Sequence, residues 1–150
     1  MSSITATALS GALTQSQRLA NSATNIANAR TTGALPPPPG GPQAGGPPPP
    51  GGPEGTPPPF QPLAGGQEAV AGPNGGQGTR PVFRPANPSY LPEYAPESPF
   101  ANPDGLVAAP NVDLARERVE QMQGLRSYQA NLAALRTANE MEREILNLKA

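Results

Sequence analysis

The chain has 150 residues, enough for one ordinary domain, but its 23 prolines and 17 glycines bring it close to low-complexity sequence. Only six residues are aromatic, which argues against a large core and therefore against a compact enzyme domain. Cysteine and histidine are absent, which excludes disulfides, thiol nucleophiles, imidazole bases and nearly all transition-metal sites. The net charge is −1 without a basic run, so we expect neither nucleic-acid binding nor a cofactor.

The first residues carry no clear targeting signal. They have no basic region followed by an apolar run, so we expect no cleaved signal peptide. No stretch approaches eighteen consecutive apolar residues, so we expect no direct membrane insertion. Residues 1–32 lack acids and are rich in Ser, Thr and Ala, which by composition leaves an organellar transit peptide as an alternative.

Residues 1–33 are interpreted as an N-terminal helical segment, with the helix over residues 3–31. Apolar and small residues recur there at spacings of three and four, which predicts one narrow helical stripe. Gly33 is expected to end the helix as a left-handed C-cap. The stripe comprises Leu9, Leu13, Ser16, Ala20, Ala23 and Ala27, with Leu19 and Ile26 beside it.

Three asparagines, Asn21, Asn25 and Asn28, form a row beside this stripe. Asparagine is a mediocre helix former, so helix propensity does not explain the row. Two interpretations stay open. The row is either a solvated face or a polar seam that hydrogen-bonds a neighbouring helix and fixes its register.

Residues 34–79 are interpreted as a disordered linker rich in Pro and Gly. Such a segment mixes polyproline II runs with flexible glycine joints and cannot bury a core. A spacer is the default role, and a docking ligand for aromatic grooves that bind polyproline II is the alternative. Residues 80–110 are expected to form an extended aromatic arm and a turn, because their prolines forbid a central strand.

Residues 111–150 are interpreted as a long C-terminal helix. Asn111 is its expected N-cap, and no proline follows Pro110. The apolar stripe drifts around the helix, which predicts a broad face that meets more than one neighbour. Its members are Val112, Ala115, Val119, Met122, Leu125, Tyr128, Leu132, Leu135, Ala138, Met141, Ile145 and Leu148.

Two helices joined by a disordered spacer can bury at most one stripe against each other. An isolated pair of this kind is marginally stable in water. The missing core is therefore expected from other chains, which predicts a subunit of an assembly.

Two motifs resemble one family. The segment "SATNIANARTTG", residues 22–33, resembles the signature that closes the N-terminal helix of flagellar basal-body rod and hook proteins. Residues 103–146, which contain "PNVD" and "SYQAN", resemble their C-terminal helical motif, and the combination is most similar to the FlgC-like proximal rod members. Thr24 stands where the signature usually has Ser, and the Pro/Gly tract replaces a β-rich middle. A rod subunit and a shortened paralogue that assembles peripherally both fit these departures.

The resemblance implies a mainly α fold in which the terminal helices pair as a coiled coil. It also implies packing against other rod subunits and basal-body proteins, a position across the periplasm, and passage through the flagellar type III export apparatus. Subunit-packing residues are then expected at both ends of the chain. They are Asn25, Ile26, Ala27, Asn28 and Gly33 in the first segment, and Asn111, Val112, Val119, Met122, Leu125, Tyr128, Asn131, Leu132, Leu135, Met141 and Ile145 in the last.

Two functions follow as hypotheses. A structural rod subunit without catalysis should lose assembly when Leu132→Asp puts a charge into the stripe, and should tolerate shortening of residues 36–62. A proline-rich oligomeric adaptor should instead lose its partner when the prolines are replaced.

Overall fold

The computed structural model describes residues 3–36, 58–72 and 75–148. These residues form two helices and four strands, which divide between two compact units that are described separately below. The elements in chain order are α1 (Ser3–Ala27), β1 (Leu63–Gly72), β2 (Gly75–Pro85), β3 (Tyr90–Tyr94), β4 (Leu106–Pro110) and α2 (Leu114–Leu148).

The predicted mainly α fold class is wrong. About 49% of the described residues are helical and about 26% lie in strands, which form two small antiparallel sheets. Residues 63–79, predicted as part of a disordered linker, belong largely to β1 and β2. The predicted aromatic arm is likewise folded into β2, β3 and β4. The polyproline runs of residues 37–57 lie outside the described residues.

The first unit contains α1 through Thr24, the β1–β2 pair and α2. Glycine and proline lower strand propensity, which is why the sequence alone did not predict this sheet. The tertiary contacts override that preference because the strands pack on α1. Proline is tolerated at Pro81 and Pro85 because both strands of a two-stranded sheet are edge strands. Glu68 of β1 also pairs with Arg80 and Arg84 of β2, at 3.0 and 3.7 Å.

The second unit contains the β3–β4 sheet and the segment that follows α1. Leu91 faces Ala109 and Glu93 faces Val107 in an antiparallel register. Gly33 pairs with the opposite edge of β4 at Ala108, with N–H···O distances of 3.0 and 2.9 Å. Strand β4 is thus hydrogen-bonded on both sides, and its Val107 and Ala108 are fully buried.

Proline in β3 is explained by its register. Successive residues of a strand direct their backbone N–H and C=O groups to opposite edges. Because Ala108 bonds to Gly33 on one edge, its own N–H and C=O groups point away from β3 on the other. Its partner across the sheet, Pro92, then stands at a position whose backbone nitrogen does not face β4. The missing N–H of proline costs the ladder nothing there. The segment was predicted as a free arm because proline disfavours a central strand, and it forms the edge strand β3 instead.

Both helix boundaries differ from the predicted ones. Helix α1 ends at Ala27, four residues early, and turn bonds such as Thr31 N to Asn28 O at 3.0 Å follow it. Gly33 is not a left-handed C-cap, since the glycines with positive φ are Gly78 and Gly105 among the described residues. Helix α2 begins at Leu114, so Asp113 takes the N-cap position that was predicted for Asn111.

Candidate assembly surface

Helices α1 and α2 run antiparallel within the first unit. Gly11 lies beside Asn131, Leu19 beside Gly124, and Ser22 donates its Oγ to Glu117 O at 3.3 Å. Residue numbers therefore increase along α1 in the direction in which they decrease along α2. Seven of the less exposed positions of α2 recur with a seven-residue period, which keeps one face toward a partner helix. They are Glu117, Gln121, Gly124, Tyr128, Asn131, Leu135 and Ala138.

This contact is made mainly by small and polar residues. A Cβ atom added to Gly124 would lie 3.2 Å from the Leu19 side chain, and one added to Gly11 would lie 2.7 Å from Asn131 Oδ1. The two glycines therefore allow the helix backbones to approach closely. Ala8 and Ala12 are also buried on this side of α1. The predicted coiled coil is not confirmed, because the contacts seen are not interlocking apolar side chains at successive core positions.

Arg18 is the cation that connects three elements of this unit. Its guanidinium lies 3.5 Å from Glu120 of α2 and donates to Gln15 Oε1 at 3.3 Å. Its Cγ would contact a Cβ added to Gly65 of β1 at 3.7 Å. Gln15 in turn donates to Gln67 Oε1 at 2.9 Å. The sequence patterns assigned no role to Arg18.

A neighbouring face of α1 carries the β1–β2 sheet. Thr14 Oγ1 donates to Thr79 O at 3.1 Å, Thr79 N donates to Ser10 Oγ at 3.1 Å, and Asn21 Nδ2 donates to Leu63 O at 2.7 Å. Gly78, with φ +121°, brings β2 against Ser10 so closely that a Cβ there would collide with its hydroxyl. These contacts hold the sheet on the helix by hydrogen bonds instead of apolar packing.

The asparagine row is not a solvated face, which was one of the two alternatives that the sequence left open. Asn21 bonds to the backbone of β1 instead of a neighbouring helix, and Asn25 is only 2% exposed instead of solvated. Asn28 is half-buried and accepts a hydrogen bond from Thr31 Oγ1 at 3.4 Å. The row is thus engaged within the chain.

The apolar stripe predicted for α1 faces outward. All six of its members are exposed, and Leu13 is 55% exposed although it is a large apolar residue. The reason is that the sheet and α2 use the two neighbouring faces, which are rich in Ser, Thr, Gln and Ala. The stripe runs through Leu9, Leu13, Ser16, Ala20, Ala23 and Ala27.

The predicted packing residues of α2 divide into two groups. Tyr128, Asn131, Leu132 and Leu135 are half-buried, and all but Leu132 belong to the face toward α1. The others are exposed by 46 to 64% of their surface. They are Val119, Met122, Leu125, Met141 and Ile145.

The predicted residues near the helix ends lie in the second unit. Ile26 is half-buried, Ala27 is exposed and Gly33 is buried in its pairing with β4. Asn111 Nδ2 donates to Pro88 O at 2.9 Å and Asn111 N donates to Ser89 O at 3.1 Å. Val112 is half-buried beside it. These residues belong to the second unit, whereas the exposed stripe of α2 belongs to the first.

The described part of the chain contains neither histidine nor cysteine. Its acidic residues form no cluster that could hold a metal ion. None of its helices is long and apolar enough to cross a membrane. What the first unit presents instead is exposed apolar surface along two helices, which is the usual mark of a protein–protein contact.

Comparison with known proteins identifies the class first. Residues 104–148, which include all of α2, match the family model described as the flagellar basal body rod FlgEFG protein C-terminal. The chain is thus similar to proteins of the flagellar rod in the helix that carries most of the exposed apolar surface.

Whole-chain similarity then narrows the class. The chain is 32% identical over 135 residues to the flagellar basal-body rod protein FlgC of Salmonella typhimurium, covering 89% of this chain and 87% of the relative. The FlgC protein of Escherichia coli O6:H1 is 33% identical over the same extent, and that of Bacillus subtilis is 38% identical over 55 residues, or 37% of each chain. The chain belongs to the FlgC family of flagellar basal-body rod proteins and is a structural subunit of that rod.

Proposed function

We propose that this subunit assembles through the outward faces of α1 and α2, while their inward faces and the β1–β2 sheet hold the subunit together. The observation that carries this proposal is the exposure of the whole α1 stripe and of Val119, Met122 and Leu125 on α2. Burying this surface against neighbouring subunits would supply the apolar contact that the single chain lacks.

We further propose a place in the proximal rod, across the periplasm, after export through the flagellar type III apparatus without a cleaved signal. The similarity to FlgC proteins supports this view. Neither catalysis nor insertion into a lipid bilayer belongs to the proposed role. The adaptor alternative receives no support from the comparisons.

The test places a charge on the outward face of α1. Leu13→Asp is introduced as the sole copy of the gene in a source strain, and motility and the amount of chain in purified basal bodies are measured. Because Leu13 is 55% exposed, we expect the variant to fold but to be absent from basal bodies, with motility lost. Leu132→Asp is a less clean test because Leu132 is half-buried.

The matched control is Gln61→Asp, which adds the same charge at an exposed polar position outside both helices. Circular dichroism of each purified variant checks that helix content is unchanged. Normal motility and normal incorporation of the folded Leu13→Asp chain would contradict the proposed packing face.

A further inference from the structure

The last ten described residues of α2, 139–148, are all exposed. They extend about 15 Å beyond Ala138, the last buried position of the helix. Met141, Ile145 and Leu148 follow one another at spacings of four and three, so they form one apolar stripe along this end. Leu148 is 88% exposed. This end of the helix is therefore amphipathic but has no partner among the described residues.

Acidic residues flank this stripe. Glu144 lies three residues after Met141 and four before Leu148, and Glu142 lies three residues before Ile145, so both carboxylates border the apolar surface. Residues 139–148 contain three Glu and one Arg. We refer to Met141, Ile145 and Leu148 with these glutamates as the acidic end of α2.

A second exposed surface of α2 has the opposite charge. Val119, Met122 and Leu125 form a stripe near the start of the helix, and each is about half exposed. Arg118 and Arg126 lie four residues before and after Met122, so they flank Met122 on its two sides around the helix. Between residues 118 and 136 the one acidic residue is Glu120, which turns toward Arg18 of α1. We call this surface the basic face of α2.

The two surfaces complement each other in polarity and in charge. We infer that the acidic end of α2 docks on the basic face of α2 in a second copy of this chain. The apolar stripes would pack together while Glu142 and Glu144 pair with Arg118 and Arg126, as flanking charges do between packed helices. This inference rests on the proposed function, and it names another copy of the same chain as the partner of this surface.

The contact is head-to-tail, so it joins successive chains in an open series and not in a closed pair. The centres of the two stripes point roughly 110° apart around the helix axis at 3.6 residues per turn. One antiparallel pair of α2 helices therefore cannot make both contacts at once, which rules out a closed two-fold dimer through these surfaces. A parallel contact of Ile145 on Met122 shifts successive copies by about 35 Å along the helix.

The test uses the absence of native cysteine. A chain with Met122→Cys and Ile145→Cys replaces the native copy, and purified basal bodies are treated with a short bismaleimide. We expect a ladder of dimers, trimers and larger multimers on a denaturing gel. The matched control combines Met122→Cys with Asn139→Cys, because Asn139 is exposed on another side of the same helix and should give no ladder.

Charge reversal tests the pairing. Arg118→Glu with Arg126→Glu should reduce the ladder at least fivefold, and adding Glu142→Arg with Glu144→Arg in the same chain should restore it. Basal bodies that contain the double-cysteine chain but yield only monomers, only dimers, or a product with a different protein would overturn the inference while leaving the proposed function intact. If the chain is missing from basal bodies, the proposed function fails, and the same ladder from the purified chain in solution decides the inference.

Discussion

At the scale of single residues, glycines determine how closely the elements of the first unit approach. Gly124 and Gly11 lie where a Cβ atom would crowd Leu19 and Asn131 of the opposite helix. Gly78 combines a positive φ with direct contact to Ser10. The sequence showed Gly124 as the single glycine of the C-terminal helix, which was a usable signal for a close helix contact. Gly78 gave no such signal, because it is one of many glycines in its region.

Gly78→Ala should destabilise the free subunit by about 1–3 kcal/mol, since its backbone conformation disfavours a side chain. The added methyl group would also collide with Ser10 and push β2 away from α1. Urea unfolding followed by circular dichroism measures the change.

Gly76→Ala is the matched control, because it lies in the same strand and a Cβ there meets nothing within 4 Å. We expect it to change the free energy of unfolding by less than about 0.5 kcal/mol. Equal effects of the two substitutions would mean that the approach of β2 to Ser10 does not matter for stability.

At the scale of elements, α1 has three different faces. One packs on α2 through small residues, one accepts the β1–β2 sheet through Ser10, Thr14 and Asn21, and the third is apolar and exposed. The usual rule that the apolar stripe of a helix faces its own core is therefore reversed here. Such a reversal is expected of a subunit whose neighbours complete the core.

Gly124→Val should separate the two helices. The branched side chain would overlap Leu19, which already lies 3.2 Å from an added Cβ, and overpacking of this kind costs about 1–3 kcal/mol. The free energy of unfolding in urea measures this loss.

Gln123→Val places the same residue at the adjacent, exposed position, where we expect a change below about 0.5 kcal/mol. If Gly124→Val proved as stable as this control, the close contact of α1 and α2 at Leu19 would be refuted.

At the scale of the whole molecule, the described chain supplies surface for assembly more than it supplies a core. Its fully buried apolar side chains are few, and large apolar residues along both helices are exposed. If neighbouring subunits contribute to the stability, backbone amides should exchange more slowly with solvent after assembly.

Hydrogen exchange followed by mass spectrometry tests this expectation. In the free subunit, amides of residues 139–148 should exchange faster than those of residues 117–138, because only the latter face α1. In purified basal bodies, residues 139–148 should become protected. Val107 and Ala108, buried within β4, serve as the internal reference in both states. An end of α2 that exchanges equally fast in both states would show that assembly leaves it uncovered.

Sequence patterns alone predicted the two long helices, the family and the role in an assembly. Helical periodicity is local, and the motifs "SATNIANARTTG" and "SYQAN" are continuous in the chain. It also located the residues that turn out to be exposed on α2, such as Met122 and Ile145. Their role in subunit packing stays a prediction.

The two sheets and the orientation of the helix faces depend on tertiary contacts, which the sequence patterns did not predict. Strand formation in β1 and β2 depends on hydrogen bonds with Ser10, Thr14 and Asn21 of α1. These residues lie more than 40 positions from their partners in the strands, so the local sequence of the strands shows no pattern for them. Periodicity likewise shows that α1 has an apolar stripe but not which face its own chain covers. Close packing of backbones through glycine and hydrogen bonding through short polar side chains placed the other two faces inward.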